Sequence, residues 1–220
     1  MTTALPHPGK LKAAGKALRA SVAPLCLFAL TLLTLSACKD DDGVEEEFPN
    51  WQATNEAYFN SLVAETQQKV AAGDQSWALL TCYSKPDTDY TPVNTDYVVV
   101  HKLASGSGTA SPFATDSVDI SYQGVLLPSL HYPTGMPFSA SYEEPFDPII
   151  ATPAAFWMGG IVDGLETALL QMHLGDHWKI YVPHQLGYGA AGSTGIPGYS
   201  TLIFDVRLEG FWRMEKGDRY

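Results

Sequence analysis

His173 and His177 stand four residues apart in the run His173-Leu174-Gly175-Asp176-His177, the separation at which two imidazoles share a helix face and could hold a metal. Gly175 between them would break that helix, so no metal is expected. The run Gly187-Tyr188-Gly189-Ala190-Ala191-Gly192 has the glycine density of a phosphate loop, yet no Lys-Ser/Thr pair follows it. Serines and histidines are present, His101, His131 and His184 among them, but no G-x-S-x-G elbow presents a nucleophile. What remains is a set of aromatic and branched residues with a tyrosine, Tyr188, on the glycine-rich loop. Taken singly, an aromatic on a strand is more often core than ligand-facing, so their order along the chain has to carry the argument.

The elements that would position these residues read as follows. Residues 50–72 have helical composition, with Trp51, Tyr58, Leu62 and Val63 spaced as an apolar stripe and Gly73-Asp74 as a stop. Packing on the adjacent core is the expected fate of this helix, with spreading along a partner as the other. Residues 76–81 suit a short strand, and 84–94, rich in Pro, Asp and Thr, suit a loop. The β-branched run 97–103 is closed by Ser105-Gly106-Ser107-Gly108. Residues 118–127 alternate, Val118, Ile120 and Tyr122 against Asp119, Ser121 and Gln123, as a strand with one wet face does. Pro145, Pro148 and Pro153 make 139–155 mostly loop and edge strand. A short helix follows over 161–173, with Leu165, Leu169 and Met172 on one side, and then strands over 177–183 and 200–212. The sum is an antiparallel sheet curled around one helix, an α+β arrangement.

The first 37 residues read as an address. Lys10, Lys12, Lys16 and Arg19 form a basic region with no acidic residue, and residues 21–35 are an apolar run too short for a comfortable membrane span. The run ends at Leu35-Ser36-Ala37-Cys38, which resembles a bacterial lipobox, so cleavage before Cys38 and lipidation of its thiol are expected. Lys39 and the acidic residues up to Glu47 read as a solvated, self-repelling tether. They also resemble the signals that send lipoproteins to the outer membrane, with its outer face favoured. Losing four positive charges takes the formal net charge from −11 to −15, which disfavours nucleic acid and anionic lipid as partners. Attachment to a membrane would therefore rest on the acyl chains of Cys38. With Cys26 removed and Cys38 lipidated, Cys82 is alone and no intrachain disulfide is possible.

Three ordered segments carry a resemblance to a known family. Ser121-Tyr122-Gln123-Gly124-Val125-Leu126 resembles the early V-x-Y-x-G-x-L strand of FKBP-type peptidyl-prolyl isomerases. Met136-Pro137-Phe138 resembles their pocket-phenylalanine segment, and Gly159 to Trp212 their helix, strand, tyrosine loop and strand. The resemblance implies a curved antiparallel sheet wrapped around one short helix, here with an N-terminal helical extension. The expected organisation is a signal peptide over 1–37, lipidated cysteine and tether over 38–49, an extension over 50–96, an FKBP-like domain over 97–212 and a tail over 213–220.

The resemblance further implies prolyl cis–trans isomerisation of X-Pro bonds in exported or surface polypeptides, without a cofactor, and possible binding of rapamycin-type macrolides. The residues implied as catalytic are Tyr122, Phe138, Ile161, Tyr188 and Phe204, with Ser139, Val162, Leu165 and Ile196 completing the substrate walls. Tyr188 would donate its hydroxyl and Ile161 its backbone N–H to the ligand, while Phe138 and Phe204 shape the proline slot. Three departures stand against the pattern. Ser139 replaces the family's usual Asp and cannot supply a carboxylate, Leu165 stands where Trp is common, and 139–158 is Pro-rich. They keep open a second expectation, a binding module that retains the fold without the activity. A third places the function in the 50–81 extension.

Overall fold

The computed structural model describes residues 45–85 and 89–213. The expected signal peptide, Cys38, the start of the tether and the tail from residue 214 on lie outside the described residues. The described residues from 45 onward form one compact unit. The tether is not wholly solvated: the Glu47 carboxylate accepts from Ser129 Oγ at 2.6 Å and His131 N–H at 3.0 Å, and the His131 ring also reaches it.

Helix α1 spans Trp51–Ala71. It begins after Asn50, which takes the left-handed conformation (φ 51°) that Asn tolerates, and it ends before Gly73 at φ 87°. The buried face holds Trp51, Phe59, Leu62 and Val63 together with the polar Asn55 and Thr66. Tyr58, expected in the stripe, is only half-buried, because the face turns far enough to seat Phe59 in its place. The helix packs on the core, and residues as enclosed as Phe59 and Val63 each contribute on the order of 1.5–3 kcal/mol.

Seven strands follow: β1 Trp77–Thr81, β2 Tyr97–Ala104, β3 Ser117–Val125, β4 Pro137–Ala140, β5 Ala154–Trp157, β6 His177–Val182 and β7 Leu202–Trp212. All pairings are antiparallel, in the order β1-β2-β6-β7-β3-β4, with β5 also on β3. β1 lies within the expected extension yet forms the edge strand beside β2. Val98, Val99 and Val100 on β2 are all fully buried. Since successive side chains point to opposite faces, β2 is covered on both sides, which is why its sequence is a continuous β-branched run. Register shifts in β2, β3 and their partners curve the sheet.

The free edge of β3 is shared. Its first half pairs with β5 (Val118 opposite Phe156) and its second with β4 (Gly124 opposite Ser139), so the chain between leaves the edge and returns. One expectation is corrected here: Ser121 was expected on a wet face but is buried. The Arg207 guanidinium, opposite Ser121 in register, lies 4.0 Å from the Phe146 ring.

Helix α2, Asp163–Leu169, is shorter than the expected 161–173. Ile161 and Val162 are extended, and the chain turns after Leu170 to Gly175 at φ 86°. The helix lies against the sheet through Gly164, where a Cβ would meet Val182 Cγ1 at 2.3 Å. Its Leu165, Ala168 and Leu169 join the core.

Candidate functional site

Four strands bring aromatic residues to one place. Tyr122 on β3 sits edge-on to Phe156 on β5, with ring centroids 5.5 Å apart. Phe138 on β4 sits edge-on to Phe204 on β7, also at 5.5 Å. These T-shaped contacts hold each ring against the next without stacking them shut. Gly124 makes the second pair possible: a Cβ there would lie 2.5 Å from Phe138 Cζ. The glycine of the Y-x-G segment is therefore a close-approach position, clearing the space that the Phe138 ring fills.

The rings border an open cavity of about 440 Å³. Every residue that the sequence singled out for the site lines it: Tyr122, Phe138, Ser139, Ile161, Val162, Leu165, Tyr188, Ile196 and Phe204. Ile120, Phe156, Gly160, Ser193 and Thr194 also line it and were not foreseen. Phe156 was concealed by its setting, a four-residue strand after a Pro-rich stretch, too short to show a face by alternation. Trp157 and Tyr199, near the rim, do not occupy the cavity. Trp157 is largely exposed and lies against Gly159, and Tyr199 stands edge-on to His184.

No carboxylate, ammonium, guanidinium or imidazole is among the described lining residues. The polar atoms are hydroxyls and backbone groups. Tyr122 Oη and Ser139 Oγ are 2.5 Å apart, so the serine engages the tyrosine hydroxyl directly. The Tyr188 hydroxyl has no hydrogen-bond partner among the described residues, and its residue is 40% exposed, so it is available to a ligand.

The backbone donor differs from expectation. Ile161 N–H is turned into the tight turn Met158–Gly160 and donates to Met158 O at 3.3 Å. Val162 N–H, one residue on, has no partner among the described residues, while its carbonyl accepts from Leu165 and Glu166 as α2 begins. The Val162 N–H is thus the donor left free at the helix entrance. The arrangement offers an uncharged slot walled by aromatic and branched side chains and several hydroxyls, with the Tyr188 hydroxyl and the Val162 N–H unpaired among the described residues.

His173 and His177 do not converge. His173 Nδ1 lies 3.7 Å from Asp176, whereas His177 on β6 reaches Asp205 at 2.6 Å. Among the described residues, no group of three or more His, Cys, Asp or Glu side chains could hold a metal.

Residues 108–209 match the family model of FKBP-type peptidyl-prolyl cis-trans isomerases. The chain is 34% identical over 126 residues to FK506-binding protein 1A of Neurospora crassa, a match covering 56% of this chain and 95% of that protein. It is 34% identical over 112 residues to the macrophage infectivity potentiator of Trypanosoma cruzi, covering 50% of this chain and 51% of that one. To the peptidyl-prolyl cis-trans isomerase Mip of Coxiella burnetii it is 36% identical over 107 residues, covering 48% of this chain and 41% of the relative. The match thus spans about half or less of the length of these last two relatives.

Proposed function

This chain belongs to the FKBP-type peptidyl-prolyl cis-trans isomerase family, and from that premise we propose that it interconverts cis and trans X-Pro bonds in exported or surface polypeptides at the cell envelope. The observation that supports this reading is the uncharged cavity framed by Tyr122, Phe156, Phe138 and Phe204, with a free hydroxyl and a free amide at its rim.

The chemistry asks little more. Rotation about the X-Pro amide meets a barrier of about 18–20 kcal/mol because resonance holds the bond planar. As the bond twists, resonance and part of the charge separation are lost, so a dry aromatic slot favours the twisted state over the planar one. In this reading the proline ring sits between Phe138 and Phe204 over Leu165. Tyr188 Oη and Val162 N–H donate to carbonyls of the bound segment, and Ile161, Ile196 and Tyr122 exclude water. Residues 97–212 would form the isomerase domain and 50–96 its extension. The apolar segment and Cys38 would make the protein a lipid-anchored outer-membrane protein, and rapamycin-type macrolides would compete for the slot.

A second reading, a binding module for a peptide or surface partner, is favoured by Ser139 in place of a carboxylate. Refolding of a protein whose slow step is prolyl isomerisation separates the two. An isomerase shortens that step at substoichiometric concentration, and a binding module leaves its rate unchanged. The anchoring part is tested by the mass of the mature chain: a diacylglyceryl group on Cys38 supports it, and an unmodified cysteine overturns it.

A further inference from the structure

The cavity wall that carries Tyr188 and Ile196 is a loop, residues 187–201, and its far end is held by a helix outside the family match. Trp51, on the first turn of α1, donates from Nε1 to Ser200 Oγ at 2.8 Å, and the Ser200 hydroxyl donates onward to Pro197 O at 2.7 Å. One turn along α1, the Asn55 amide donates to Trp51 O at 2.8 Å, and its Oδ1 accepts Thr201 N–H at 2.7 Å. Asn55, Ser200 and Thr201 are all buried. A buried amide whose oxygen and nitrogen are both used fixes one geometry, because any shift leaves a polar group unpaired away from water.

The residue next to this anchor is under strain. Tyr199 has φ 64°, a left-handed conformation unfavourable for a bulky side chain. Its N–H donates to Gly189 O at 2.9 Å, and Gly189 N–H donates to His184 O at 2.8 Å. Gly189 is the neighbour of Tyr188. A short path therefore runs from Trp51 and Asn55 through Ser200 and Thr201 to Tyr199, across one hydrogen bond to Gly189, and so to Tyr188.

We infer that α1 serves the cavity at one remove: Trp51 and Asn55 are positioning residues that hold the Tyr188 loop in place over the slot. Its functional consequence rests on the isomerase reading, but the structural coupling can be measured without it. Trp51 is the residue to alter, since Trp51→Phe keeps a ring in the core and removes the N–H that Ser200 accepts.

The test uses the full chain in detergent, with Trp51→Phe, Ser200→Ala and the double variant. Amide hydrogen exchange is followed at Gly189 and Tyr199, with Ile180 on β6 as the control, and kcat/KM is measured where circular dichroism shows every variant folded. Each single variant is expected to speed exchange at Gly189 and Tyr199 about tenfold without moving Ile180, and to lower kcat/KM about five- to twentyfold, since small misplacements near a site are costly in rate. The double variant should be no worse than the worse single one, because both break the same link. Exchange that rises equally at all three amides, or that stays unchanged at the loop, overturns the inference and leaves α1 as core packing. If the unaltered protein does not isomerise peptides, the function reading fails. The exchange result then decides the positioning on its own.

Discussion

The Tyr122 hydroxyl and the Ser139 Oγ meet at 2.5 Å across β3 and β4. Ser139 stands where the family resemblance implies an aspartate, so this hydroxyl pair carries no charge. Ser139→Ala should lower kcat/KM about three- to tenfold by leaving the hydroxyl of the buried Tyr122 unpaired. Ser139→Asp should preserve or raise turnover, and kinetics on both variants check this. If neither substitution changes the rate, Ser139 has no part in the site.

The same substitution changes the pH behaviour. The described cavity walls carry no carboxylate or imidazole, so kcat/KM of the unaltered protein should be flat between about pH 5 and pH 8, where such groups titrate. Ser139→Asp introduces a carboxyl, and its profile should fall at the acidic end. A pH–rate series on the two proteins reads this directly.

Gly124→Ala should move the Phe138 ring, because the added Cβ would lie 2.5 Å from Cζ. Overpacking of this kind costs roughly 1–3 kcal/mol. Macrolide affinity should fall by about tenfold or more if that strain is felt by the slot. Calorimetric titration and a thermal melt separate the binding loss from the stability loss.

Tyr188→Phe removes a hydroxyl that bonds to no described residue, so Tm should stay within about 1–2 °C of the parent. Ligand affinity should fall roughly fivefold, the worth of about one neutral hydrogen bond. A large fall in Tm would show that the hydroxyl has a structural role.

Acid stability should depend on Asp96, which begins the approach to β2. Burial opposes its ionisation, but Lys85, Tyr90 and the Val93 N–H outweigh that and hold its pKa at about 2, below the usual 3.8. A lowered folded-state pKa gives stability that is full above the unfolded value and is lost as pH falls through the folded one. Denaturant unfolding should therefore lose stability between about pH 4 and pH 2, and Asp96→Asn should flatten that decline.

Much of this was legible in the sequence because it depends on order along strands. Tyr122, Phe138 and Phe204 could be placed through the ordered segments that resemble the family, and the structure brings them around one cavity. What escaped depends on local geometry or on long-range polar contacts. Which of Ile161 and Val162 keeps a free N–H is decided by the tight turn at Met158–Gly160, and composition does not announce that turn. Phe156 lies on a strand of four residues, too short for periodicity to reveal its face. Asn55 and Thr66 were absent from the expected stripe of α1 because a search for apolar spacing passes over polar residues. Yet Asn55 is buried by a partner, Thr201, 146 positions away. Ser121 looked solvent-facing by alternation, yet it is buried, because alternation reports side-chain direction and not what lies over the face.

We propose that the cavity framed by Tyr122, Phe138, Tyr188 and Phe204 isomerises prolyl bonds. A protease-free isomerisation assay on the full chain, with X-Pro peptides differing in the preceding residue and rapamycin as competitor, tests it most directly. Acceleration that rapamycin abolishes and that Gly124→Ala weakens is expected. A folded protein that gives no acceleration with any peptide would instead make the chain a binding module.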